Sequence, residues 1–590
     1  MDETRKPFGS VMLLPLLMLG GLLLYQNFSG GENPFSPSAP AKKGVKAERN
    51  PPPLAAAKAP AQPKPSEQLY RLETPEFRAL ISSYNTGLRS YRLQNEQFRE
   101  LKGGGKELVT TERERYLPLR VEVDGVALPE AAEWKIDPSA ASSAQAGDAR
   151  SLRFVWEGDG VRIQRTLQVG KGPYQLWSTL HITNLGKSKR TLRVRMGTYH
   201  YVPRKSEEGG FFASRSPAIS QGLCRHGEDT VRKERKDLMA KHGYGPKVQF
   251  VGIENAYFAN LVAATDKPAA RCQLQSSERG GTAKEPDGSL FESVLLYPYV
   301  TLEPGSAQTF RSLAYVGPKD LDALKAAGHH LPKAVDLGFF SWIAEYLVRL
   351  LRLIQSLVGN WGLAIILLTV LVKLVLYPLT EKSFQSMARM RALKPEMDRL
   401  NELYKDDREK KGAAMMELYR KHKINPLGGC LPSLLQLPVW FALYASLSTN
   451  VELYHAPFTL WWGDLSSPDP YFVLPLFLGV LMFFQQKMTP TTMDPAQAKV
   501  MLYLMPVMIT AFMLFLPAGL CLYMVTNSAL SMAQQKFIHY RVERLGAVAS
   551  PEASSSAGDS SATGGSSRES AKLASRPKVG QHRRHRRGRA

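Results

Sequence analysis

Lys373 stands between Val372 and Leu374, inside an apolar run from about Trp361 to Leu379. An ionisable side chain at membrane depth costs at least about 2.5–3.5 kcal/mol on insertion scales, so it marks a functional site: an attractor for acidic groups, or a titrating proton carrier. The plainer reading is a snorkelling lysine, since about seven residues, or roughly 10 Å of helix rise, separate it from the end of the run. Thr369 lies one helical turn before it on the same face. Other apolar runs also carry polar residues: Gln436, Gln485, Gln486, Thr526, Asn527, Gln534 and Gln535, with Pro432, Pro438, Pro475 and Pro506 within or beside them. Each alone fits a helix–helix hydrogen bond. Their number alongside a charge describes a hydrophilic groove, because broken backbone at that depth must be buried in protein or face water. The chain has no His-Glu-x-x-His, Gly-x-Ser-x-Gly, Walker loop or Cys-x-x-Cys pair, so no enzyme is read here and neither cofactor nor metal is expected.

Five apolar runs position these residues: about 361–379, 431–447, 471–486, 499–516 and 519–538. The last two are divided by Leu516-Pro517-Ala518-Gly519, which has turn chemistry. A further run, Phe8 to Phe28 behind Arg5 and Lys6, is read as an uncleaved anchor. The cleaved-signal alternative lacks an Ala-x-Ala site. The total is six spans. The loop 380–430 holds 12 Lys+Arg and 8 Asp+Glu, whereas 450–470 holds neither Lys nor Arg and three acids, Glu452, Asp464 and Asp469. Positive loops stay inside, so the first is cytosolic and the second external. The tail 541–590, with 11 basic and 4 acidic residues, agrees with a cytosolic C-terminus. The net charge of +23, from 76 basic and 53 acidic residues in 590, thus carries a topology signal on the membrane side.

Residues 29–65 are Pro, Ala and Lys rich and read as a tether to an exported domain. From about 66 to 318 the period is two, as in Val161, Ile163, Leu167 and Val169, with turn signals between runs, which predicts a large antiparallel β-sandwich in a domain over 66–336. Cys224 and Cys272 both fall in it and could pair in an oxidising compartment; spacing alone does not establish contact. Over 337–358 the period returns to 3.6 and predicts an amphipathic helix in the membrane interface. The cytosolic loop 380–423 reads as a helical hairpin with Met387, Met390 and Met397 on one arm and Met415 on the other, Lys405 to Lys411 forming its turn. These methionines suit either adaptable contact with nascent chains or the hairpin's own seam. Arg583, Arg584, Arg586, Arg587 and Arg589 end the disordered tail, where they could meet ribosomal RNA or anionic lipid. The fold class is therefore a multi-domain membrane protein: a polytopic α-helical core of five spans (359–540), an N-terminal anchor span (1–28), an exported antiparallel β-sandwich and a cytosolic hairpin.

Several phrases carry a resemblance: Trp361-Gly362, Tyr377-Pro378-Leu379-Thr380, Asn425-Pro426-Leu427-Gly428-Gly429-Cys430-Leu431-Pro432, Gln486-Lys487-Met488-Thr489-Pro490 and Pro517-Ala518-Gly519-Leu520. Over about 337–540 the chain resembles the YidC family of membrane protein insertases, in its Gram-negative form with a large periplasmic domain. The resemblance implies a monomeric insertase and chaperone of newly made inner-membrane proteins, working alone or beside the Sec translocon and receiving chains from ribosomes. It also implies a galactose-mutarotase-like sandwich in the periplasm. A groove open to cytosol and lipid would be lined by Lys373, Thr369, Gln436, Tyr523, Met524 and Asn527. Lys373 matches a position that is commonly arginine, keeping the charge without the planar fork. Met524 follows Tyr523 where the family often has an aromatic pair. Two rivals are a proton-coupled small-solute transporter, for which no internal repeat is visible, and an anchored carbohydrate enzyme, which needs a carboxylate or His constellation in the sandwich.

Overall fold

Alternation of apolar and polar residues builds the exported region from antiparallel strands. In Val161–Val169 the residues Val161, Ile163 and Leu167 turn inward, and Arg165 takes the inward position between them. The computed structural model describes residues 66–100, 104–137, 150–204, 220–266, 268–279, 287–338, 340–382, 385, 393–405, 407–422, 431–488 and 495–548, without the side chains of 394, 408, 431–436, 495–498, 539 and 542–548. The anchor, the tether, Met387, Met390, the side chain of Gln436 and the tail arginines lie outside these descriptions.

One sheet has nine strands in the order Asp229–Lys233, Gln221–His226, Val248–Glu254, Phe258–Ala264, Ala307–Pro318, Gln175–Asn184, Val161–Val169, Ser151–Gly158 and Lys135–Ile136. The second follows His242–Tyr244, Arg271–Arg279, Gly288–Leu296, Arg190–Pro203 and Val300–Leu302, with Val121–Asp124 also paired to Arg190–Pro203. A small sheet of Leu69–Glu73, Phe77–Ser82 and Leu88–Leu93 joins the same apolar core. The inner faces pack Phe154, Phe250, Phe291, Leu261 and Leu295 out of water. Cys224, on the nine-stranded sheet, and Cys272, on the other, form a disulfide that joins the two sheets. The pairing that spacing left open is thus made.

The chain then becomes helical. The helix Ser341–Val358 buries Ala344, Leu347, Val348 and Leu351 and leaves Trp342, Tyr346, Leu353 and Leu357 exposed. Helices Trp361–Val375, Leu431–Thr449, Val473–Met488, Pro495–Met513 and Ala518–Val548 occupy the five apolar runs. Among the described residues no helix is long and apolar enough to cross a membrane. The physical reason differs from helix to helix. Trp361–Val375 has 15 residues and Val473–Met488 has 16, or about 22–24 Å of rise, and the 31-residue Ala518–Val548 is interrupted by Thr526, Asn527, Gln534 and Gln535. The break between Met513 and Ala518 falls at the proline turn read from sequence. Residues up to His539 form one unit and Tyr540–Ala590 a second, of which 540–548 are described as helix.

Sandwich and helices are tied by the loop after Leu431–Thr449. Val451 enters the sandwich core, with Tyr454 packed beside it. The side-chain amide of Gln97 donates to the carbonyls of Val451, Glu452 and Tyr454 at 3.0, 3.0 and 3.2 Å. Arg352 joins Asp320 at 3.3 Å, Glu452 at 2.6 Å and Asp322.

Candidate functional site

Asn360 starts the Lys373 helix by accepting from the Leu363 N–H at 3.0 Å, which satisfies one of its orphan donors. The same side chain donates to the Phe458 carbonyl at 2.9 Å, fixing the helix start to the 456–472 loop. Gly362 makes that contact close: a Cβ there would lie 2.1 Å from the Phe458 ring. The first turns bury Ala364, Ile365 and Leu368 against Leu443, Leu447, Leu465, Leu516 and Leu520. This half of the helix is sealed by hydrocarbon.

Past Thr369 the surroundings become polar. Lys373 Nζ donates to Ser531 Oγ at 2.7 Å, and Ser531 Oγ donates to the Asn527 carbonyl at 2.7 Å. Gln534 Nε2 donates to Thr380 Oγ1 at 2.6 Å. Asn527, Ser531 and Gln534 are spaced i, i+4 and i+7, so one stripe of the last helix faces the Lys373 helix and its continuation. Among the described residues no carboxylate stands within ion-pair distance of Lys373, and Asn527 Oδ1 is buried without a partner. An ammonium has three donors, and the Ser531 hydroxyl engages one of them, which leaves capacity for an incoming anion or water.

The expected groove residues divide. Lys373 and Asn527 are brought together. Thr369, 2% exposed, spends its hydroxyl on the Ile365 carbonyl at 2.7 Å. Tyr523, 1% exposed, sits in the apolar cluster with Leu520 and Leu522 rather than on an open wall. Met524 is half-buried and receives the Trp440 indole N–H at 3.1 Å. Ser531 and Thr380 were not singled out as groove residues; the i, i+4 spacing from Asn527 was the available signal for Ser531, and only the pairing of distant helices reveals Thr380. In the hairpin, helices Lys394–Leu403 and Arg408–Lys421 pack Leu393, Met397, Leu418 and Tyr419 together, with Leu400 and Met415 against them. Met397 and Met415 therefore fill the seam, and the turn is shorter than Lys405–Lys411 because Asp407 already caps the second helix through Lys410 N–H. Outward-facing apolar side chains run along the helices instead: Leu374 and Val375, then Tyr503, Leu504, Val507 and Met508.

Two family models match the chain, "60Kd inner membrane protein" over residues 353–544 and "YidC periplasmic domain" over 69–350. Among similar proteins, the membrane protein insertase YidC of Anaeromyxobacter sp. (strain Fw109-5) is 39% identical over 497 residues, covering 82% of this chain and 86% of that protein. Its counterpart from Geobacter sulfurreducens is 36% identical over 474 residues, covering 79% and 85%. Among solved structures, an active YidC insertase with the first transmembrane domain resolved covers 89% of this chain and 98% of that one, at 17% identity and a TM-score of 0.33. A galactose mutarotase-like protein from Lactobacillus casei covers 42% and 100%, at 8% identity and a TM-score of 0.29.

Proposed function

The chain belongs to the YidC family of membrane protein insertases, and from that premise we propose that it inserts its clients through the polar seam around Lys373. Its setting is the inner membrane, with a periplasmic domain built of antiparallel sheets. The transporter alternative is not favoured, since the relatives that share four-fifths of the chain are insertases.

The proposed topology has six spans, the anchor near 8–28 and one at each of the five core helices, with both termini cytosolic. The charge asymmetry between the loops 380–430 and 450–470 supports it. The Cys224–Cys272 disulfide supports an exported sandwich, because such bonds persist in oxidising compartments. Helices of 15 and 16 residues fit a locally thinned bilayer.

The mechanism follows from the two halves of the Lys373 helix. A client's hydrophilic flank enters the polar half from the cytosol, where Lys373 exchanges its Ser531 contact for an acidic group. The ammonium–hydroxyl bond is already charge-assisted and a carboxylate adds a full opposite charge to it, so the exchange is favourable, yet the fork of an arginine is absent and the hold stays weak enough to release. The client's apolar segment then leaves along the apolar faces of Leu431–Thr449 and Pro495–Met513 into lipid. Burial at about 25 cal/mol per Å² drives that step, so no nucleotide is consumed. Nascent chains arrive from ribosomes, with the hairpin making first contact and Arg583, Arg584, Arg586, Arg587 and Arg589 meeting ribosome or anionic lipid. The protein works as a monomer, alone or beside the Sec translocon.

The observation that carries this reading is the Lys373 ammonium on a neutral partner. Lys373→Glu should impair insertion of a short client with an acidic external tail, whereas Lys373→Arg should preserve it. Unimpaired insertion by Lys373→Glu would sink the attraction step.

A further inference from the structure

The second sheet of the sandwich carries a polar cavity of about 250 Å³ lined by Glu122, Arg195, Tyr199, Gln275, Arg279 and Glu292, among others. Strand register explains why these side chains meet. Gln275, Glu292 and Tyr199 are direct neighbours across three strands, and Glu122 stands opposite Arg195 on the same face. Arg279 lies four residues along from Gln275, so it returns to that face. Gly197 keeps the floor open, since a Cβ there would come 2.8 Å from the Tyr199 hydroxyl. Tyr116 closes one side, its ring under the Arg279 guanidinium at 5.0 Å and its hydroxyl accepting from Arg279 at 2.6 Å.

The charges here are incompletely matched. Glu122 is engaged, with Arg120 at 3.3 Å and Arg195 at 3.7 Å. Among the described residues Arg279 has no carboxylate within ion-pair distance, and its Nε is buried without a partner; Arg195 Nε is likewise unpartnered. Glu292, half-buried, has no cation within that distance either. Burial, then Glu122, hold its carboxyl above the usual value, against the pull of Arg195, Lys241 and Arg115. Among the described residues the cavity thus brings together a cation and an anion that are each outside any ion pair. A simple anion would meet Glu292, a simple cation would meet Arg279, and a neutral polyol would leave both charges without a counter-charge. Hydrogen bonds to charged groups are roughly twice as strong as neutral ones, so a ligand bearing both charges gains most. The volume lies below the usual 300–1,000 Å³ of drug-sized sites, so the ligand is small.

We propose that this cavity is a binding site for a small zwitterion of dipeptide size, its acid group on Arg279 and its ammonium on Glu292. The site is separate from the Lys373 seam and does not depend on the insertion mechanism. The test is calorimetric titration of the full chain in detergent with glycylglycine, N-acetylglycine, glycinamide and glucose. Glycylglycine should bind saturably, with the two half-charged probes at least about tenfold weaker and glucose silent. Glu292→Gln should weaken glycylglycine to the level of N-acetylglycine, and Arg279→Met to the level of glycinamide. Ser277 also lines the cavity, and Ser277→Leu, which fills it without removing a charge, should abolish binding while leaving melting and client insertion unchanged. No saturable heat from glycylglycine would overturn the proposal, as would equal binding of either half-charged probe or stronger binding of glucose. The selectivity among probes is read on the unaltered protein, so it decides the matter even where a variant misfolds.

Discussion

Removing the disulfide offers a prediction whose size follows from the chain itself. Cys224 and Cys272 are 48 residues apart and both fully buried. Closing a loop of that length withdraws about 14 cal/mol/K from the unfolded chain, or about 4 kcal/mol at 25 °C. Each kcal/mol moves the midpoint of a 150–250-residue domain by about 2–4 °C, so the sandwich should melt roughly 8–16 °C lower. Alanine at both positions is the right perturbation, because serine would add two buried hydroxyls and their desolvation cost. The readout must be local, so that the midpoint reports the two bridged sheets and not the helices. Amide exchange at strands Gln221–His226 and Arg271–Arg279, followed against temperature in the full chain, provides it. A cross-link also predicts strong non-additivity: either single variant loses nearly the whole 4 kcal/mol, and the double variant loses little more. Midpoints within about 3 °C of the unaltered protein, or single losses that simply add, would refute the reasoning.

Three further outcomes are expected. Arg352→Met strips the counter-charge from Asp320 and Glu452 where sandwich meets helices. It should cost about 2 kcal/mol at pH 7, less than a fully buried pair because Arg352 is 24% exposed. Burial already holds the Glu452 carboxyl above its usual value despite Arg352. The loss should therefore shrink as pH falls and Glu452 protonates, which chemical denaturation at pH 7 and pH 4.5 would show. Burial, with Lys106 second, pushes His200 down to about 4. The unfolded chain then binds a proton the folded one refuses, so stability is flat above about pH 6.5, falls by about 2–3 kcal/mol between 6.5 and 4, and levels below; His200→Gln should flatten that slope in a pH series of urea midpoints. Gly362→Ala drives a methyl into the Phe458 ring and should cost about 1–3 kcal/mol, recovered in a melting assay when Phe458→Leu is added.

Much of this was legible in the residues. The period of two located strands such as Val161–Val169 because a half-buried sheet demands it, and the proline turn at 517 located the break between the last two helices because no helix continues through it. Arg165 shows where that logic stops. It occupies an inward position by period, yet a sequence gives no sign that Thr86, 79 residues away, supplies both a carbonyl and a hydroxyl at 2.7 Å and Ser178 a third acceptor at 3.0 Å. The same blindness hid Ser531. Hydropathy marks a polar residue in an apolar run, but which helix it faces depends on long-range packing, and Lys373 and Ser531 are 158 residues apart. Tyr523 departs in the other direction: it stands in an apolar stretch and the structure packs it into the cluster with Leu520 and Leu522.

The division along the Lys373 helix follows from its own composition. Ala364, Ile365 and Leu368 are small or branched enough to interdigitate with Leu443, Leu447 and Leu516 and exclude water. Two turns later Lys373 cannot enter such a cluster without losing its hydration, so the opposing helix must present acceptors, and Ser531 does. A serine satisfies one donor of three and leaves the charge uncompensated; an aspartate there would neutralise it and close the seam with an ion pair. Ser531→Asp is therefore the sharpest test of whether incompleteness is the working feature. It should bind Lys373 more tightly and stabilise the resting protein, yet insert acidic-tailed clients more slowly. A variant both more stable and equally active would show that the unfilled valence of Lys373 plays no part in insertion.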